Sequence, residues 1–266
     1  MKRRQTSNQF DVELEAEDGF SENVQDRART KIEELARYTS EPILHARVRL
    51  SRSHNPAVER PVIAQANLDV NGRLLRAQVS APTGYEAVDL LDQRLRRQLH
   101  RMARHWEAKR GAMPKAKPNA WRHISEPTER PPYYPLPEHE RRVVRHKTFG
   151  PGVATPDEAA FDLDMLDYEF YLFTEEETGQ DSVIYRGGPT GYRMAQVDPE
   201  PDRTWSTAVP LTVSEQPAPI LTVAEAQTRL DATGLPFLFF AEPETGRGRV
   251  LYRRYDGHYG LVRPSD

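Results

Sequence analysis

The chain contains no cysteine, which removes disulfides, thiolate-bound zinc, iron–sulfur clusters and cysteine nucleophiles together. No run approaches ~18 consecutive apolar residues, the length a helix needs to cross a bilayer. The opening Met1-Lys2-Arg3-Arg4 is basic, but the apolar stretch of a secretory leader does not follow it. Apolar residues are only 37% of the 266, which suits small domains with a high surface share better than one large core. These absences are read as a soluble, modular, cytoplasmic protein with no membrane partner.

Enzyme signatures are also missing. The sequence has no Walker A loop, G-x-G-x-x-G or G-x-S-x-G, and its eight histidines form no H-E-x-x-H or other ligand spacing. Glu175, Glu177, Glu242 and Glu244 invite a carboxylate-pair reading, but each pair sits in Glu-Thr-Gly where turn chemistry accounts for it. The expectation is a non-enzyme with no catalytic residue, no metal and no cofactor.

Charge is unevenly spread. Residues 1–118 carry 22 Lys/Arg against 16 Asp/Glu, whereas residues 155–266 carry 9 against 20. One half is suited to a polyanion and the other to something else. Between them lie seven prolines within residues 111–140, a density that no helix or central strand sustains. This stretch reads as an extended linker, with Trp121 and Tyr133-Tyr134 able to rest on a flanking domain or dock on a partner.

The acidic half contains an internal repeat. A shift of 67 residues lays Thr155 to Met194 over Thr222 to Leu261 without a gap, with fifteen of forty positions identical. The shared core is Phe170-x-x-Phe173-x-Glu175-x-Glu177-Thr178-Gly179, Val183-x-Tyr185-Arg186 and Tyr192. It recurs as Phe237-x-x-Phe240-x-Glu242-x-Glu244-Thr245-Gly246, Val250-x-Tyr252-Arg253 and Tyr259. Each copy reads as β-α-β-β-β. The opening strands are 142–149 and 209–213, and Thr155/Glu158 and Thr222/Glu225 are capping boxes.

The basic half reads as β-α-β-β-β-α. Strands are expected over 10–17, 43–51, 62–70 and 74–81, with helices over 21–39 and 85–109. Asn71-Gly72 is a strong hairpin signal. Two helices on one face of a four-stranded sheet make an α+β domain resembling double-stranded-RNA-binding folds. In the long helix Val88, Leu91, Leu95, Leu99, Met102 and Trp106 form the core stripe. Arg94, Arg97, Arg101 and Arg104 follow one another at 3-4-3 spacing along another face, over roughly 15 Å. Arg27, Lys31 and Arg37 come from the first helix, and Arg47, Arg49, Arg73 and Arg76 from strands. A one-signed arginine ridge suits phosphate, though charged helix faces are often merely solvated.

Three stretches resemble the ribosomal S30AE / sigma-54 modulation family, the long type of bacterial ribosome hibernation promoting factor. They are Lys31-Ile32-Glu33-Glu34-Leu35-Ala36-Arg37-Tyr38, then Gly84-Tyr85-Glu86-Ala87-Val88-Asp89 with Arg94-Leu95-Arg96-Arg97-Gln98-Leu99, and Phe237 through Pro264. The resemblance implies an N-terminal domain (9–110) seated on the 30S subunit of the 70S ribosome. There it would lie against 16S rRNA at the mRNA and tRNA decoding sites and block translation by occlusion, protecting idle ribosomes under stress or in dormancy. By position it implies rRNA contacts for Lys31, Arg37, Arg94, Arg97 and Arg101, while Arg27 and Arg104 come from the helix-face argument alone.

The usual long factor has one C-terminal domain, through which two molecules pair and join ribosomes into 100S dimers. This chain has two (141–197 and 208–264, after the linker at 111–140). The expectation is that they pair with each other within one chain, or else make a homodimer, through Phe170, Phe173, Tyr185, Phe237, Phe240, Tyr252 and Tyr259. The rival reading is a protein–protein regulator, recruiting a client through the acidic repeats while the basic domain binds nucleic acid only weakly.

Overall fold

A computed structural model describes residues 10–53, 58–109, 133–149, 152–187 and 191–264, leaving out the side chains of 104–109 and of 149. The linker as far as residue 132, with Trp121, the side chains of Arg104 and Trp106, and the turn at 188–190 therefore lie outside the described residues. The chain divides into two compact units. The first holds the described residues up to 109 together with Met165–Asp167, and the second holds the rest of the described residues from 133 onward.

In the first unit, β1 (Asp11–Ala16) pairs in parallel with β2 (Ile43–Arg52), so the chain between them must cross over, and α1 (Glu22–Glu33) makes that crossover. The second half of the expected helix tightens into a 3₁₀ turn, Glu34–Tyr38. β3 (Val62–Val70) and β4 (Arg73–Ala81) complete an antiparallel meander, giving the sheet order β1-β2-β3-β4. Asn71 and Gly72 both take positive φ, 53° and 83°, as the tightest hairpin turns demand. Val62, Ala64, Ala66, Leu68 and Val70 all face inward along β3. α2 (Gly84–Lys109) lays Leu91, Leu95 and Leu99 against them, and Val24, Ala28 and Ile32 of α1 complete the core. The other sheet face is polar: Arg47 pairs with Glu13 and Glu15, and Arg49 with Glu17.

The second unit holds both repeats. In the first copy, β6 (Val153–Ala154), α3 (Pro156–Met165), β7 (Phe170–Glu175), β8 (Asp181–Gly187) and β9 (Gly191–Gln196) follow in order. In the second, α4 (Val223–Thr233), β11 (Phe237–Ala241), β12 (Gly248–Arg253) and β13 (Tyr259–Pro264) match them, and Ile220 bridges to Ala241 where β6 would be.

The opening strands form in the expected segments but not in the sheets of their own repeats. β5 (Val143–Phe149) pairs in parallel with β13 of the second repeat, and β10 (Leu211–Val213) with β9 of the first. Each repeat has given its opening strand to the other. Chain reach explains this for β5. The two edges of the first sheet, ordered β10-β9-β8-β7-β6, are four strand spacings apart, about 19 Å. Only four residue steps separate 149 from 153, at most about 14 Å of extended chain. A β5 feeding β6 cannot also occupy the far edge of the same sheet, so it lands on the neighbour.

The exchange joins the two sheets, which share an apolar layer of Leu172, Val183, Phe239 and Val250, flanked by Phe170, Tyr185, Phe237 and Tyr252. At the end of the linker Tyr133 stacks on Tyr255 with ring centroids 6.1 Å apart, and the Tyr134 N–H donates to the Tyr255 carbonyl at 2.9 Å.

Candidate nucleic-acid interface

α1 and α2 lie side by side on one face of the sheet, and their solvent side carries the charge. Arg37 and Arg97 are exposed, with no ion pair among the described residues. Arg101 is half-buried one turn beyond Arg97. Arg27 forks onto Asp89, its Nη2 reaching Oδ1 at 2.8 Å and Oδ2 at 2.9 Å, with both side chains exposed. Lys31 lies 3.6 Å from Asp92, which also accepts from Arg96.

Arg96 was not among the expected contacts, yet it is the most connected of these cations. Its guanidinium lies 4.4 Å from the centre of the Tyr38 ring, and the Asp92 hydrogen bond raises its pKa first among several causes. The ring of His100 meets Tyr38 edge-on at 5.9 Å. Nothing in the residue spacing sets Arg96 apart. Its role follows from the 3₁₀ turn that brings Tyr38 beside α2.

The four-arginine ridge is thus less uniform than its spacing implies. Arg94 is nine-tenths buried, and its Nη2 donates to Asp167 Oδ1 at 2.5 Å. Gln98, one turn further on, is buried as well and donates to the Arg76 carbonyl. Both sit on the flank of α2 that covers β4, where the one-dimensional wheel could not register burial. Arg94 reaches a phosphate only by leaving Asp167.

The expected repeat contacts also divide. Phe170 lies 4.8 Å from Phe237 and 5.7 Å from Tyr252, and Tyr185 lies 5.3 Å from Phe237. Phe173, Phe240 and Tyr259 are instead buried on the opposite faces of their sheets. Phe240 and Tyr259 pack with Ala226 and Leu230 of α4. Successive side chains of a strand alternate, so Phe170 and Phe173, three apart, cannot share a face. Leu172 and Phe239 were the partners to expect, and the period of two was the available signal.

The carboxylates of the Glu-Thr-Gly segments have turn roles. Glu175 is buried and accepts from the Thr178 N–H at 2.8 Å, its hydroxyl at 2.9 Å and the Glu177 N–H at 3.2 Å. Glu242 accepts from the Thr245 hydroxyl at 2.9 Å. Among the described residues no group of three or more His, Asp or Glu is placed to hold a metal, and no helix is long and apolar enough to cross a membrane.

Two family models match the sequence. The one described as sigma 54 modulation protein / S30EA ribosomal protein covers residues 19–106, and its C-terminal counterpart matches twice, at 138–194 and 212–261. A dormancy associated translation inhibitor of Mycobacterium tuberculosis is 37% identical, the match spanning 83% of this chain and 76% of that protein. A ribosome hibernation promotion factor of Picosynechococcus is 26% identical over 66% of this chain and 91% of its own length. Among solved structures, the Thermus thermophilus Protein Y N-terminal domain aligns with 34% of this chain and 94% of that one, at 23% identity and a TM-score of 0.29.

Proposed function

The chain belongs to the sigma-54 modulation / S30EA ribosomal protein family, and from that premise we propose that it is a ribosome hibernation factor that silences translation by occupying the small subunit. Its role is binding rather than catalysis. The observation that carries the reading is the solvent face of α1 and α2: Arg37 and Arg97 stand unpaired among the described residues, on rigid helices within the matched segment. Such guanidinium groups approach rRNA phosphates bidentately and release counterions as they do so. Arg101 extends the strip. Arg27 and Lys31 reach phosphate by exchanging Asp89 and Asp92 for it, and Arg94 belongs to the support of the surface rather than to its contact. In this reading the domain fills the mRNA and tRNA decoding region of the 30S subunit against 16S rRNA.

The two C-terminal repeats satisfy each other, so the same reading makes the factor a monomer acting on single 70S particles. The Phe170, Tyr185, Phe237 and Tyr252 contacts support this.

Sedimentation of 70S ribosomes with the full chain through a sucrose gradient tests both statements. The expected result is protein in the 30S or 70S peak and no 100S peak. A 100S peak would overturn the monomer reading alone. Protein left at the top of the gradient at low salt would overturn the ribosome reading and favour client recruitment by the repeats.

A further inference from the structure

The two repeats pack about a pseudo-two-fold axis. Positions related by the 67-residue shift meet each other there: Phe170 faces Phe237, and Asp181 faces Gly248. Flanking contacts are reciprocal, Phe170 with Tyr252 and Tyr185 with Phe237. In an isologous pair of identical surfaces, every residue on the axis faces a copy of itself.

At this axis the two surfaces differ. Asp181 is buried, and its carboxylate takes Arg247 Nε at 2.7 Å, Arg247 Nη2 at 3.2 Å and the Gly248 N–H at 2.8 Å. The first repeat has Gln180 at the position of Arg247. A Cβ added at Gly248 would stand 2.7 Å from the Asp181 Cβ and 2.9 Å from the Phe239 ring, so residue 248 must be glycine while 181 is aspartate. The space left by the missing side chain is taken by Phe239, whose equivalent is the smaller Leu172. Leucine, glutamine and aspartate on one repeat thus answer phenylalanine, arginine and glycine on the other.

We infer that these three positions code the surface for unlike pairing: the first repeat accepts a partner presenting Arg-Gly at the axis and rejects a second copy of itself. Two first repeats would bring Asp181 against Asp181 in a buried layer with no arginine for either. Two second repeats would set Gly248 against Gly248, with both Arg247 side chains left without a carboxylate. This rests on the single-chain pairing proposed above and adds which surface each face will take. On this code, a chain of this kind would not crosslink to others through its repeats.

The test keeps the full chain and closes a cycle of three variants. Phe239→Leu/Arg247→Gln/Gly248→Asp gives the second repeat the centre of the first. Leu172→Phe/Gln180→Arg/Asp181→Gly makes the opposite change, and the six substitutions together reverse the code. Thermal unfolding of the C-terminal unit is expected to fall by roughly 5–10 °C in each triple variant and to return to within about 3 °C of wild type in the reversed chain. Triple variants as stable as wild type would overturn the inference, as would a reversed chain no more stable than either of them, including one that fails to fold. Sedimentation of the unmodified chain reads the monomer proposal separately. A wild-type dimer would sink that proposal, while the cycle would still report whether unlike centres are required.

Discussion

Asp164 and Asp231 occupy the same place in the two repeats and do the same work. Asp164 is buried and accepts from Arg186 and from the Tyr192 hydroxyl, and Asp231 accepts from Arg253, Tyr259 and additionally Arg141. The identity of Asp, Arg and Tyr in both copies is therefore accounted for by one recurring polar cluster, in which the aspartate accepts from the arginine and the tyrosine. Removing the carboxylate leaves an uncompensated guanidinium, so Asp164→Ala should cost about 3 kcal/mol in chemical denaturation of the C-terminal unit. Tyrosines in the same unit should make its stability fall at alkaline pH. Burial, and for Tyr171 also the charge of Asp162, raises the pKa of Tyr171, Tyr252 and Tyr259. Because the folded values exceed the unfolded value of about 10, this stabilisation is complete below pH ~10 and is lost as pH rises through the folded values. Unfolding followed from pH 8 to 11 should show the decline, and Tyr171→Phe should make it shallower.

At the scale of elements, the helices show how a pattern can be right in register and wrong in exposure. Val88, Leu91, Leu95, Leu99 and Met102 of the apolar stripe of α2 are buried as expected, because a period of 3.6 decides which side chains face a neighbour. The arginine ridge obeys the same period, but what stands beside these arginines is set largely by other elements: Asp167 for Arg94 and Tyr38 for Arg96, which also pairs with Asp92 one turn back on α2 itself. Among the described arginines of α2, Arg97 should therefore carry the phosphate contact. Arg97→Ala should weaken ribosome binding and reduce the slope of log K against log salt by about one, in filter-binding or sedimentation titrations. Arg94→Ala should act instead on the melting temperature of the first unit. The two helix starts read as capping boxes were legible residue by residue. Thr222 accepts from the Glu225 N–H while the Glu225 side chain accepts from the Thr222 N–H, as S/T-x-x-E predicts, so Thr222→Ala should cost about 1 kcal/mol of C-terminal stability by urea unfolding.

For the whole molecule, the exchange of β5 and β10 makes the two repeats a single folding unit. A chain ended at residue 207 would lose β10 from the β9 edge and uncover Leu172 and Val183 of the shared layer. Calorimetry of that chain should show the unfolding transition of the first unit and no cooperative transition from the lone repeat. An independent transition there would mean that the first repeat does not need its partner. The same architecture bears on function. In the proposed reading, apolar faces already occupied within one chain leave ribosome binding to the basic unit, with no intermolecular contact through those faces.

The sequence by itself determined the element order, the hairpin at Asn71-Gly72, the helix caps, the duplication at 67 residues and the family, because each depends on local chemistry or on fixed spacing along the chain. Tertiary structure decided the rest: which repeat each opening strand joins, which arginines remain exposed, and that Asp181 meets Arg247 and Gly248. Those outcomes depend on residues tens of positions apart, whose encounter is governed by chain reach and by what covers each face. Periodicity, which describes one element at a time, carries no information about either.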